Sequence, residues 1–355
     1  NTTAPNNTAV GNAALLVNTT GTQNVALGSA TLIANTTASN NTAVGYNSLL
    51  ANTTGTQNTA LGSLSLDAHT TGANNTGLGF GALSANTTAA GNTAVGSVAL
   101  VANTTGSDNV AVGLSALTAS TTASNNVAVG LFAGGRITGG DHNQCIGDNA
   151  GSQLTTGNSN VLIGRLSGSH NYYLQTGARN VLVGALSDVT ATNTNEANGI
   201  GYDIYAVGGY TTVGSGISDI RAAHGTATWA AVSDERYKKD ITDATAGLSF
   251  INALRPRTWN YKTLGELPEA FRAYKEGSTT VFKNTQTNHG FIAQEVKTAI
   301  DADSSLKDGF KLWDERDDGA QEVAEAALIP ILVKAIQEQT ALITALTARI
   351  TTLEG

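Results

Sequence analysis

The chain has 355 residues and a formal net charge of −8, with 19 Lys and Arg against 27 Asp and Glu, so it carries no basic footprint for nucleic acid. A single Cys excludes an intrachain disulfide framework, and no uninterrupted apolar run reaches the roughly 18 residues of a membrane span. The charge is unevenly spread: residues 1–135 hold no Lys, Arg or Glu and only Asp67 and Asp108, whereas residues 233–355 hold 15 of the basic and 19 of the acidic residues. The length allows two or three domains, and this asymmetry predicts that they are unlike. The sequence starts at Asn1 and has no Met, which reads as a fragment or processed form with any secretion signal outside it.

From the first residues the chain keeps an internal ruler. A stretch of the form N-x-A-[VLI]-G recurs with its Gly at 11, 28, 45, 62, 79, 96, 113, 130, 147 and 164, always 17 apart, and with Asn four places earlier each time. A disordered polar tract has no reason to hold such a phase. Two apolar columns share it: the Val, Leu or Ile before each Gly, and Leu15, Leu32, Leu49, Leu66, Leu83, Leu100 and Leu117 four places after it. Two anchors cannot fold one unit, but stacking buries them as ladders, which predicts a parallel β-solenoid over 1–184. Thr pairs such as Thr36-Thr37 and Thr53-Thr54, flanked by Asn and Gly, read as turns, and the short apolar runs favour strands. With stacked strands about 4.8 Å apart, ten coils make a shaft roughly 50 Å long rather than a catalytic globule. So thin a core predicts association with further copies of the chain.

At residue 134 the pattern changes. Gly134, Gly151 and Gly168 replace the Leu column, which predicts that the interior narrows or the strand turns there. After Gly164 the next apolar run, Val181-Leu182-Val183, arrives three residues late. Residues 185–232, with Tyr202, Tyr205, Tyr210 and Trp229, read as an irregular connector. That zone and the 134–184 coils are where contact with a glycan or host surface is expected, a tapering connector being the plainer reading. His142 and Cys145 form an H-x-x-C, but Cys145 falls in the column of Ala43, Ala60, Ala94 and Ala128, so it reads as a packed small residue. No metal and no cofactor are expected. No repeated carboxylate pair suggests a glycosidase, and the N-T-T triplets that match glycosylation acceptors are explained by the turn phase.

From 233 on the sequence is mixed. "SDERYKKDI" opens a helix with Ser233 as N-cap and Asp234 and Glu235 at its positive end. The periodicity of "LSFINALRPRTWNYK" stops at Pro256, and "NHGFIAQEVKTAI" reads as a short strand or turn leading into a helix. Ile329, Leu332, Ile336, Gln339, Ile343, Leu346, Ile350 and Leu353 form a heptad seam, predicting a coiled coil over 325–355 that pairs with other chains. In isolated parallel coils Ile at a with Leu at d leans toward two strands, and the polar Gln339 interrupts it, so the seam alone leaves stoichiometry open.

The N-x-A-[VLI]-G-x-x-A pattern resembles the head repeats of trimeric autotransporter adhesins and the shafts of some phage tail fibres, although those adhesin repeats are a few residues shorter. Together "SDERYKKDI", "LRPRTWNYK", "HGFIAQEV" and "LIPILVKAIQEQTALITALTARI" resemble the intramolecular chaperone auto-processing domain at the C-terminus of phage endosialidase tailspikes, with a relative in the myelin regulatory factor family. The resemblance covers 233–355. It implies a homotrimeric α+β chaperone domain that assembles three chains, guides folding of the fibrous part and cuts itself off through a Ser-Lys dyad, here Ser233 and Lys238. The scissile bond then adjoins Ser233, within Val232, Ser233 and Asp234. His289 either supports the dyad or makes a structural hydrogen bond.

The chemistry needs such a pair. A Ser hydroxyl is a weak nucleophile without a base, and Lys, with an unperturbed pKa near ~10.4, serves as one only when burial or nearby positive charge lowers it. Lys239 and Arg236 favour that; Asp234 and Asp240 oppose it. On a regular helix Ser233 and Lys238 point about 140° apart. Either Ser233 lies before the helix and folds back, or the partner Lys238 comes from another subunit. The plain alternative is an N-cap Ser233 and a solvated Lys238.

The expectation is therefore a mainly β protein with a trimeric solenoid shaft and a chaperone end. It acts as a phage tail fibre or adhesin of the virion, cutting itself once with no turnover, with a host-surface glycan or protein as receptor and no membrane insertion. The alternatives are a bacterial or prophage surface adhesin with the same end domain, and a free β-solenoid binder of ice or glycan.

Overall fold

The computed structural model describes residues 4–354 except 217, 227, 228, 232, 307–309, 311 and 316–318. The chain divides into two compact units, Asn1–Ser233 and Asp234–Gly355.

The first unit is a parallel β-solenoid of about 12 turns. Each turn gives one three-residue strand, beginning with Thr8–Val10, Val25–Leu27 and Thr42–Val44, and the strands stack parallel, with Thr8 opposite Val25 and Val25 opposite Thr42. The sheet runs on through Val181–Val183, Asn198–Tyr202 and Tyr210–Ser215, then closes with the antiparallel strands Ser218–Ala223 and Ala230–Ala231.

One of the two expected anchors is corrected. In a three-residue strand alternation lets only the middle residue face the interior, and that residue is the Ala: Ala26, Ala43, Ala60, Ala94, Ala111 and Ala128 are fully buried. The aliphatic residue before each Gly therefore faces outward, with Val10 55% and Leu27 46% exposed and Val44, Val95 and Val112 half-buried. The Leu column is interior as expected, but it sits in the left-handed region, with φ 48° at Leu32 and 50° at Leu100. That backbone costs about 1–2 kcal/mol per residue. Complete burial of each Leu, worth roughly 1.5–3 kcal/mol, offsets it.

The Gly of the motif is fixed by two constraints. At Gly96 φ is 138°, and a Cβ there would lie 2.4 Å from the carbonyl oxygen of Gly113 in the next turn. The Asn four places earlier closes the turn. The main-chain N–H of Asn109 donates to Asn92 Oδ1 at 3.0 Å while Asn92 Nδ2 donates to the Gly106 carbonyl at 2.9 Å, and the same pair of bonds recurs along the ladder. These side chains are fully buried, so each amide meets backbone groups that water cannot reach. A second ladder runs through Asn18, Asn35, Asn52, His69, Asn86, Asn103 and Ser120.

The interior does not narrow at 134. As the Leu column becomes Gly134, Gly151 and Gly168, the second ladder becomes Ile137, Leu154 and Leu174 and the Ala column becomes Cys145, Leu162 and Leu182, all fully buried. The neighbours fill the vacated volume: a Cβ at Gly151 would meet Cys145 Sγ at 2.5 Å and Leu162 Cδ1 at 2.9 Å. Close packing is kept by exchanging large and small residues between facing columns. The three-residue delay is absorbed in a loop, so Val161 still pairs with Val181 in parallel.

The second unit is α+β. Helix α1 is Leu248–Ala253, α2 is Ala293–Ala302 and α3 is Ile329–Glu354, with antiparallel pairs Arg257–Trp259 against Asn288–Gly290 and Trp313–Glu315 against Gln321–Val323. Helix α1 ends before Pro256, as its sequence requires. Phe250, Val296, Ala299, Ile300, Leu312, Leu328 and Ile331 form one core.

Candidate functional site

The boundary between the units falls between Ser233 and Asp234. The helix expected to open at Ser233 is instead one 3-10 turn, Glu235–Tyr237, whose N-cap is Asp234: its carboxylate accepts the main-chain N–H of Arg236 at 2.9 Å. Three local features stop it. Asp234 bonds its own following backbone, Lys238 is already extended with φ −118° and ψ 150°, and Asp240 has φ 54°. The angular argument from a regular helix therefore does not apply, since Ser233 lies outside the turn and Lys238 closes it. Both side chains are exposed. Val232 lies outside the described residues.

Arg236 is directed at Asp234, donating from Nε to Oδ1 at 3.0 Å. That side-chain bond, then the Arg236 main-chain N–H and the charge of Lys238, hold the Asp234 carboxyl below the usual carboxylate range. One of the two cations expected to bear on Lys238 is thus paired elsewhere, while Lys239 is exposed.

His289 stands opposite Thr258 in the strand pair, exposed, on the wall of an open cleft of about 1270 Å³. Sequence reasoning missed this cleft. Trp259, Tyr261 and Phe282 line it edge to face, with ring centroids 6.3 and 5.7 Å apart, and Lys283 lies 5.5 Å from the Tyr261 ring centre. The signal was the alternation in "RTWNYK", which puts Trp259 and Tyr261 on one side of an extended chain. Beside it, Arg257 Nε donates to Glu295 at 2.9 Å, joining "LRPR" to "AQEV". The bond from Arg257 holds the Glu295 carboxyl below its ordinary range, with the charges of Arg257 and Arg255 adding to it.

Helix α3 has two apolar faces. Ile331 and Ala335 are buried on the core, and Glu338 on the same side accepts the main-chain N–H of Leu248 at the start of α1. The heptad residues Ile329, Leu332, Ile336, Ile343, Leu346, Ile350 and Leu353 are all exposed in the single chain. The segment Glu325–Glu354 is long and apolar enough to cross a membrane by length and composition, although charged and polar residues interrupt its apolar runs. Ile331 and Ala335 on it face the core, most of its exposed large apolar residues lie on the heptad seam with Val333 and Leu342 outside it, and Lys334, Glu338 and Arg349 interrupt its apolar surface.

His142 sits in a left-handed turn and Cys145 points inward, fully buried, where burial pushes its thiol up to about 12. Among the described residues no group of three or more His, Cys, Asp or Glu is arranged to hold a metal ion.

No curated protein and no solved structure matches the chain. Residues 233–304 match the family model described as chaperone of endosialidase, a match that starts at Ser233 and takes in Lys238, α1, α2 and His289. Over those residues the chain is similar to the endosialidase chaperone domain, and ahead of them it is a parallel β-solenoid.

Proposed function

We propose that the chain is a homotrimeric fibre or adhesin whose region 233–355 gathers three copies, brings their shafts into register and is then cut off next to Ser233. The observation that carries this is the exposed heptad face of α3 in a unit whose other face already has its core. The shaft explains why such a device is needed. Its outward column, Val10, Leu27, Val44, Leu61, Leu78, Val95, Val112 and Val129, is an apolar ridge that suits burial against other copies. Each turn nearly repeats the last, so a slip of one turn between copies costs little, and the ridge cannot choose its own alignment. A heptad seam at one end, itself interrupted once by Gln339, sets the height of every copy together.

Self-cleavage follows the same logic. Ser233 Oγ attacks the carbonyl carbon of the adjoining peptide bond while neutral Lys238 Nζ takes its proton. The tetrahedral intermediate then collapses, Lys238 returns the proton to the leaving amine, and water hydrolyses the ester. Both side chains are exposed in one chain, so the burial that an amine base requires comes from a second copy, and cutting reports assembly. The similarity to the endosialidase chaperone domain favours a phage tail as the setting and a host surface as the target of the shaft.

Intact-mass spectrometry of freshly expressed chain tests this. The wild type gives two fragments that part next to Ser233, Ser233→Ala and Lys238→Ala give one, and disrupting the seam with Leu332→Asp and Leu346→Asp slows cutting. An uncut wild type, or cutting that survives in Ser233→Ala, contradicts the proposal.

A further inference from the structure

The delay after Gly164 is a built loop. Where Val161 pairs with Val181 instead of a residue 17 on, the chain inserts a segment around His170–Tyr173. Asp188, fully buried, holds it: Oδ2 accepts the main-chain N–H groups of His170 at 3.1 Å, Asn171 at 2.7 Å and Tyr172 at 2.9 Å, while Oδ1 accepts that of Val189 at 2.9 Å. Charge-assisted bonds from successive amides fix the loop before anything binds.

The loop presents aromatic rings on a shaft that has few. Before residue 135 the aromatics are Tyr46, Phe80 and Phe132, whereas Tyr172 and Tyr173 here are adjacent and half-exposed. Tyr172 meets Tyr205 edge to face, with centroids 5.7 Å apart and planes at 89°, and Asn171 Nδ2 donates to the Tyr205 hydroxyl. His170 Nε2 lies 3.9 Å from Asp203 Oδ1, beyond hydrogen-bond reach. That oxygen is shielded from solvent and accepts no hydrogen bond from the protein, although the Asp203 side chain as a whole is 37% exposed. An aromatic wall needs no such unsatisfied acceptor for stability, since leaving one unpaired costs about 1–3 kcal/mol.

We propose that Tyr172, Tyr205, Asn171, His170 and Asp203 form a binding site for a neutral saccharide. The C–H face of a pyranose rests on Tyr172, and its hydroxyls, which both donate and accept, meet the exposed side of the Asp203 carboxylate, His170 and the tyrosine hydroxyls. The carboxylate disfavours anionic ligands, and the perpendicular rings offer one open face rather than a cage for a cation. Preorganisation by Asp188 lowers the entropic cost of binding. This rests on the adhesin reading and narrows it to one loop and one ligand class.

Fluorescent full-length protein is applied to immobilised glucose-, galactose-, mannose- and N-acetylglucosamine-terminated oligosaccharides, with sialylated oligosaccharides and phosphocholine alongside. Wild type retains at least one neutral oligosaccharide; Tyr172→Ala and deletion of residues 171–173, which restores the 17-residue spacing, weaken retention at least tenfold. Tyr46→Ala, an exposed ring elsewhere on the shaft, leaves it unchanged. Equal retention by wild type and Tyr172→Ala removes this loop from an adhesin that still stands, and retention of phosphocholine or sialylated probes alone overturns the ligand class. Retention of nothing by wild type counts against both the loop and the adhesin reading.

Discussion

The carboxylate of Glu338 on α3 accepts the main-chain N–H of Leu248 at 2.8 Å across ninety residues of sequence, capping a helix whose own N-cap, Gly247, offers no side chain. A Cβ at Gly247 would lie 2.5 Å from that carboxylate. The helix that bears the exposed seam is thereby tied to the helix that buries Phe250. Glu338→Ala removes the cap, lowering stability by about 1 kcal/mol and speeding hydrogen exchange at the Leu248 amide, whereas Glu338→Gln keeps an acceptor and most of the protection.

The Asn ladder makes a sharper demand. Asn92→Ala leaves the Asn109 N–H unpaired in the interior, at a cost of about 1–3 kcal/mol, while the Gly106 carbonyl keeps its bond from Asn103 Nδ2 at 2.9 Å. Chemical denaturation of the full chain measures the loss. A variant at the exposed Asn12 serves as the reference and stays within about 0.5 kcal/mol of wild type.

The exchange of columns at 134 predicts coupling. Gly151→Leu forces a side chain onto Cys145 Sγ and Leu162 Cδ1, costing about 1–3 kcal/mol in overpacking. Adding Leu162→Ala, which restores the residue types of the earlier turns, recovers part of that loss. A double-mutant cycle with no coupling between the two positions shows that they do not share the space.

His69 predicts a pH dependence. The fully buried imidazole lies with Nε2 2.8 Å from the Gly72 carbonyl and Nδ1 3.2 Å from Asn86 Nδ2. The amide donates to Nδ1, so Nε2 carries the proton and the ring is neutral. Burial lowers its pKa, the bonds to Gly72 and Asn86 opposing this. The unfolded chain then binds the proton more readily, so the stability held above pH ~6.5 falls as the pH drops through the depressed folded value, by at most about 1.4 kcal/mol per pH unit. Burial raises the carboxyl of nearby Asp67, so comparison with a variant at position 69 alone, between pH 7 and 5, isolates the share of the imidazole. His69→Asn, which returns the ladder to its usual residue, flattens the slope.

The sequence made the solenoid legible because a fixed phase of 17 exposes which residues stack on which. It did not reveal which columns face one another. The aliphatic residue before each Gly looked like core, and only the three-residue strand, with Ala at its centre, turned it outward. The same blindness hid how Leu162 and Ile137 refill the space left by Gly151 and Gly134. At the expected cut, Ser233 and Lys238 stand out in a motif, but the competition of the Asp234 side chain for the Arg236 amide leaves no mark in the pattern, so one turn forms where the pattern predicts a helix. The cleft lined by Trp259, Tyr261 and Phe282 depends on the pairing of Arg257–Trp259 with Asn288–Gly290, strands too far apart in sequence for local patterns to pair.

Assembly is tested most directly by the mass of the uncut chain in solution. Sedimentation equilibrium of Ser233→Ala, in which the C-terminal region stays attached, is predicted to give three chain masses, falling toward one when Leu332 and Leu346 are replaced by Asp. A wild-type seam that sediments as a single chain, or as two, contradicts the account.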